Sequence, residues 1–504
     1  MRCLLWVVLA VGAGCLAERP RGPGPSPDQP LLPGAPDLSR IVPFRAVNLV
    51  APGPLAWQEY DYRPRAQGGF REDIDATLVR LRALGVRQVL IHTLHAWSVE
   101  SEPYPGTNIR ATVYYRPDYR PDDPRTWGRV PRTRRGDMGL VPWYPPASWD
   151  QPQPLRNPLE LAARARQVLG EMLDAVASHG LVPVLISEVH LALAEDETGY
   201  SDDFVFADPS RGFDPFYDRL KEYLVDMTRL AARHGAAMFI LGSESPYVAG
   251  AGQGYFIDGS RMVDRQPLIA AKWRDIIQAV RQAARAEGRP DLVLSYAEIN
   301  PFWDDRFQSA PRVPIWTRVP FWDELDAVGI NYYHPGRWTD GRGRYDTAPR
   351  TADDMVAYGE TYRFATGTSV VPNLADLRDF FHLERGHDLG RRPVYFAGDG
   401  CTATYLGAAN PANPPFLRLG QRPDTLEQRN LYEAHFRLAE RYGRGWLAGI
   451  GLWQVPPTGR WGGPWDETRV SSYAEAAAYY NFLGNETEAV VREYFARWQR
   501  APGL

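Results

Sequence analysis

Several short apolar segments of this chain run directly into polar clusters. LGSESPY carries Glu244, and RPVYFAGDGCTATYLGAANP carries Asp399 between Gly398 and Gly400. His92, His95 and Trp97 close another segment, Glu188 and His190 a further one, and Glu298 and Asn300 one more. Asn331, Tyr332, Tyr333 and His334 end a similar run, as do Trp453 and Gln454. Two carboxyl groups facing a common space can divide the work of acid and base, which is what cleavage of a glycosidic bond requires. Carboxylates and aromatics without a phosphate-binding loop point to acid/base chemistry on an uncharged polar substrate. Glu244 and Asp399 are the candidate reacting pair. Trp97, Glu188, His190, Asn300, Tyr333 and Trp453 are candidate substrate contacts. A metal site built on Glu188 and His190 has no H-x-x-x-H spacing behind it, and no metal or other cofactor is expected.

Positioning these groups together demands a fold that gathers strand ends. From residue 44 onward, strand-like and helix-like stretches alternate. FRAVNLVAP at 44–52 reads as a strand. It is followed by a helix at 70–85 with Ile74, Leu78 and Leu81 on one face. Strands are then expected at 87–95, 181–191, 236–244, 291–300, 325–333, 392–399 and 447–455. Helices are expected at 158–180, 215–235, 269–287, 373–386, 425–443 and roughly 473–497, and the turn FWDEL precedes the sixth strand. Eight strand–helix units with right-handed crossovers imply a closed (β/α)8 barrel, whose active site gathers at the C-terminal ends of its strands. No G-x-G-x-x-G follows a strand, which argues against an open dinucleotide-binding sheet. Residues 96–157 form a long insertion after the second strand, rich in Pro, Tyr, Trp and Arg, and read as a wall or lid over the site.

The bulk composition agrees with an enzyme-sized domain. The chain has 504 residues, is 44% hydrophobic and carries a net charge of −4, which gives no reason to expect nucleic acid as a partner. Its 16 Trp and 26 Tyr suit a cleft for sugars, whose C–H faces stack on flat rings. The start, MRCLLWVVLAVGAGCLAERP, reads as a signal peptide over residues 1–17, with a lipid anchor at Cys15 as an alternative. Residues 18–40 read as a Pro- and Gly-rich leader and 41–504 as the barrel domain. The expected location is secreted or periplasmic. Cys401 is then the remaining cysteine, so a disulfide framework is excluded.

A set of segments in order carries a resemblance. FYDRLKEYLVDMTRLAARHGAAMFILGSES, KWRDIIQAVR, LSYAEIN, VPFWDELDAVGINYYHP, GAANP, EQRNLYEAHF and GIGLWQVPP together resemble the retaining barrel glycoside hydrolases of family 113 and their relatives, a group that includes β-mannanases. The resemblance spans roughly residues 75–470. It implies that Glu244, closing Gly242-Ser243-Glu244, is the general acid/base. It implies that Tyr333 stands beside a nucleophile and that Trp453 floors the sugar site. The family's nucleophile is a glutamate in F-x-E-x-G. This chain reads Phe396-Ala397-Gly398-Asp399-Gly400, so glycine stands at the nucleophile's position and Asp399 follows one residue later.

One residue of shift along a regular strand reverses the side-chain direction, and the flanking glycines offer a bulge that would turn Asp399 inward again. The main expectation is therefore an exported hydrolase acting on a mannan-type poly- or oligosaccharide, with Glu244 as acid/base and Asp399 as nucleophile. One alternative is a carbohydrate-binding descendant without a nucleophile. Another is an altered hydrolase in which Asp399 or Glu188 activates water. A carboxyl separation of about 5–5.5 Å would favour retention, and about 6.5–9.5 Å inversion.

Overall fold

The computed structural model describes residues 36–500 apart from 51–59, 103–110, 116–157, 193–197, 201–203, 207–212, 246–247, 251–254, 259–260, 265, 301–314, 338–345, 362–363, 367–368, 383–391, 410, 412–423 and 458–479. The expected signal segment and most of the leader, and the greater part of the 96–157 insertion, lie outside the described residues.

Eight parallel strands close on themselves. They are β1 (Phe44–Leu49), β2 (Gln88–Glu102), β3 (Val182–Ala192), β4 (Met238–Ser243), β5 (Val293–Ile299), β6 (Ala327–Asn331), β7 (Val394–Asp399) and β8 (Leu447–Val455). Each pairs with the next in sequence, and β8 pairs back onto β1, so the sheet has no free edge along its barrel portion. This is the (β/α)8 barrel that the alternation implies. The strands read as nearly unbroken apolar runs because both of their faces are covered. One face packs inward, where Phe44, Leu90, Ile186, Met238, Val293 and Tyr395 fill the barrel. The other packs against the helices, through residues such as Val89, Leu185, Phe239, Val328 and Phe396.

The helices are α1 (Arg71–Ala83), α2 (Pro158–Ser178), α3 (Phe213–Arg233), α4 (Gln266–Ala286), α5 (Ala352–Thr361), α6 (Leu374–His382), α7 (Thr425–Tyr442) and α8 (Glu486–Arg500). Between β5 and β6 the described residues hold two single 3-10 turns, Ile315–Arg318 and Trp322–Glu324, in place of an α-helix. Among the described residues no helix is long and apolar enough to cross a membrane.

One expectation is corrected on the second strand. It does not stop at residue 95 but runs to Glu102, and β3 keeps in register with it from Gln88↔Val182 to Ser98↔Ala192. Beyond the barrel, Ala111–Tyr115 returns antiparallel to the tip of β2, and Thr198–Tyr200 pairs antiparallel with the tip of β3. Phe204–Phe206 then joins Ala111–Tyr115 in parallel. The start of the insertion is thus the continuation of two barrel strands as a small upright sheet. An unbroken ladder is cheaper than a loop here, because every strand amide keeps a partner.

The seam that closes the barrel is sterically demanding. Gly449 faces Phe44 across β8 and β1 with φ of 145°, and a Cβ placed there would lie 1.8 Å from the Phe44 carbonyl oxygen. Both the left-handed φ and the clash exclude any larger residue. Gly449→Ala is expected to lower unfolding free energy by about 3 kcal/mol or more, read from urea denaturation followed by circular dichroism.

Candidate functional site

The C-terminal ends of β4, β6 and β7 meet around Glu244. Glu244 follows β4 directly, is partly exposed, and takes a left-handed backbone with φ of 46°. Its amide still continues the ladder, donating to the Ala297 carbonyl of β5 at 3.1 Å. The side chain is held by Asn331, the last residue of β6, whose Nδ2 donates to Glu244 Oε1 at 2.7 Å and to Ser243 Oγ at 3.1 Å. Two residues on, Tyr333 is also left-handed, with φ of 34°. Non-glycine residues in this region cost free energy and gather where a side chain has to be aimed. Glu244 and Tyr333 are such residues, at the ends of β4 and β6.

On β7 the register carries an extra residue. The step from Ile330 to Asn331 on β6 spans Phe396 to Gly398 on β7, and Ile450 to Leu452 on β8 spans Phe396 to Asp399. The flanking strands thus each see one residue too many in β7 between Phe396 and its end. The carbonyl of Ala397, inside this bulge, is satisfied by Asn48 of β1, whose Nδ2 donates to it at 2.8 Å and to the Leu452 carbonyl at 3.2 Å. His92 Nε2 in turn bonds Asn48 Oδ1 at 2.8 Å. With that oxygen accepting, Nε2 carries the hydrogen.

The bulge decides which way residues 398 and 399 face, and the outcome is opposite to the expectation. A Cβ built on Gly398 would lie 2.7 Å from the Tyr333 hydroxyl oxygen and 3.3 Å from Asn331 Oδ1. Position 398 therefore looks into the site beside Glu244, and it carries no side chain. Asp399 faces the helices. Its carboxylate is buried, and both oxygens accept from His435 Nδ1 of α7, at 2.9 and 3.0 Å. The Gly400 amide adds a third hydrogen bond at 2.9 Å. The Tyr332 ring packs edge-on to His435 and flat against Phe396. Burial, with the Asp399 carboxylate nearby, pushes the Tyr332 hydroxyl well above its usual pKa. The bulge does not return Asp399 to the bowl, because the extra residue has already spent its half-turn on Gly398.

The remaining sequence candidates fall in different places. Trp453 stands half-buried near the end of β8, with its ring edge-on to His92 at 5.1 Å between centroids. Asn300, expected to meet substrate, is instead buried. Its amide donates to the main-chain carbonyl of Pro372 at 3.2 Å, tying the end of β5 to the segment before α6. Trp97, Glu188 and His190 lie in described strands but their side chains fall outside the described part. In the backbone ladder Glu188 pairs with Leu94, His190 with Ala96 and Leu191 with Trp97. Among the described residues no group of three or more His, Cys, Asp or Glu is placed to hold a metal ion.

The sequence placed Asn331 at a strand end without giving it a role, and gave no warning of Asn48 or His435. A histidine on the apolar stripe of α7 between Leu431 and Leu438 was the available hint, since a buried imidazole must find a partner. Behind the site, Arg337 and Glu427 form a buried ion pair that fastens the loop after β6 to α7. Burial pushes the Glu427 carboxyl up to about 7, against the pull of the Arg337 guanidinium.

No protein-family model and no curated protein matches the chain. Among solved structures, it is similar to a β-mannanase of glycoside hydrolase family 113 from Alicyclobacillus acidocaldarius in complex with ManMIm. That match has 15% identity over 90% of this chain and 97% of the other, with a TM-score of 0.49. It is also similar to a family 5 mannosidase from Rhizomucor miehei, at 10% identity over 90% and 93% of the two chains and a TM-score of 0.47.

The Asp399–His435 pair has a measurable consequence. Asp399→Ala would leave a buried imidazole N–H without its acceptor and is expected to cost about 3 kcal/mol in urea unfolding. Asp399→Asn keeps an oxygen to accept and is expected to cost roughly 1 kcal/mol less than the alanine change.

Proposed function

We propose that this protein binds a mannan-type oligo- or polysaccharide in the bowl around Glu244 and lacks its own retaining nucleophile. The reading rests on one observation. The inward position on β7 is Gly398, while the neighbouring carboxylate, Asp399, is taken up by His435. Retaining hydrolysis needs a carboxylate on each side of the scissile bond. With Glu244 on one side and a glycine on the other, the side chains suited to a sugar are those that hold its hydroxyls. These are the Glu244 carboxylate, the Asn331 amide and the Tyr333 phenol, with Trp453 as the flat surface. The sugar class comes from the ordered sequence segments that resemble family 113. Export is part of the same proposal and rests on the basic and apolar N-terminus.

A specific feature favours a second reading. Glu188 lies near the C-terminal end of β3, which pairs with the strand that leads into Glu244. A carboxylate there could activate water in an inverting hydrolase.

Calorimetric titration with mannotetraose, beside turnover assays on 4-nitrophenyl β-mannoside and mannan, separates the two. Wild type is expected to bind mannotetraose without turnover, and Glu244→Gln to weaken binding about tenfold through loss of a charge-assisted hydrogen bond. Wild-type turnover that vanishes in both Glu244→Gln and Glu188→Gln, with inverted product, selects the second reading. Retained configuration in the product overturns the proposal.

A further inference from the structure

The space beside Gly398 is not left to solvent. The hydroxyl of Tyr333 stands 2.7 Å from where a Cβ at 398 would be, and the ring carbon bearing it stands at 3.2 Å. Real side chains essentially never approach a Cβ so closely. The phenol and any side chain at 398 therefore compete for one volume. Tyr333 reaches it from a left-handed backbone, directly after a residue that faces the helices, Tyr332. Asn331, two residues earlier on the same strand end, borders that volume with its oxygen while its nitrogen holds Glu244. The phenol, the amide and the carboxylate thus form one connected polar edge.

We infer that the Tyr333 hydroxyl has taken over the place of the missing carboxylate and is the group that fixes a bound sugar ring opposite Glu244. The inference rests on the carbohydrate-binding reading above and deepens it. A neutral phenol both donates and accepts, so it can bridge two sugar hydroxyls, or a hydroxyl and the ring oxygen. A carboxylate at the same place can only accept. The exchange therefore converts an attacking position into a recognition position, and Gly398 is the residue that makes the room. Tyr333 acts here as a specificity residue, and Gly398 as a positioning residue acting through it.

A double-mutant cycle on Gly398 and Tyr333, read in two ways, tests this. In titrations with mannotetraose, Tyr333→Phe is expected to weaken binding about tenfold, the loss of one well-made hydrogen bond. Gly398→Ala is expected to weaken it similarly by displacing the phenol. In the Tyr333→Phe background Gly398→Ala should change affinity by less than about twofold, because the displaced hydroxyl is already gone. In thermal unfolding without ligand, Gly398→Ala should lower Tm clearly in the wild-type background and much less in the Tyr333→Phe background. Wild-type affinity in Tyr333→Phe overturns the recognition role, even where the stability cycle shows coupling. Equal effects of Gly398→Ala in both backgrounds, in both readouts, overturn the competition for one volume. If wild type binds no mannotetraose, cellotetraose or xylotetraose, the carbohydrate reading falls and takes the recognition role with it. The unfolding cycle then decides whether phenol and side chain exclude one another.

Discussion

The site hangs on the extra residue in β7. A parallel barrel fixes the register of every strand from both sides, so a residue inserted into one strand cannot be absorbed by sliding. It has to be taken up locally, and here that happens between Phe396 and Asp399, where β6 and β8 both skip. Side-chain direction after the bulge is then inverted relative to simple alternation. Gly398 turns in and Asp399 turns out. The barrel stabilises this arrangement with groups from far along the chain. Asn48 covers the bulge carbonyl from β1, and the Tyr332 amide bonds the Gly398 carbonyl at 2.9 Å.

The two sides of β7 are consequently different worlds. Toward the helices, the Asp399 carboxylate is held away from water by His435 and the Gly400 amide, with the Tyr332 ring packed edge-on to the imidazole. Toward the bowl, Glu244 and Tyr333 sit on left-handed backbone and are partly exposed, and Asn331 holds the Glu244 carboxylate. The first arrangement is closed to solvent; the second opens onto it. A carboxylate's chemistry is decided by which of these surroundings it enters, and Asp399 entered the first.

Much of the architecture could be read from the sequence because barrel strands and helices announce themselves by period and by apolar runs. The strand at 447–455 matches β8, and the helix at 425–443 matches α7 to within one residue. Glu244 was readable because a short motif fixes it at the end of β4. Direction at Asp399 was not, since one additional residue reverses it and nothing in Phe396–Gly400 says whether the strand is regular. Nor did sequence reveal that β2 and β3 outrun the barrel together. That depends on pairing between segments some ninety residues apart, Gln88 with Val182 and onward. Asn48 reads as one more polar residue in a buried strand until the bulge it covers is known.

The bulge also bears on how this fold can change over generations. Deleting the extra residue of β7 would leave Asp399 two steps beyond Phe396, on the same outward face beside His435, and so would bring no carboxylate into the bowl. Placing a glutamate at 398 instead would leave that outer group intact but evict the Tyr333 phenol from the volume it fills. Neither change alone places a second carboxylate in the bowl with its surroundings intact. The strand's irregularity couples two positions: a residue larger than glycine at 398 needs a matching change at Tyr333.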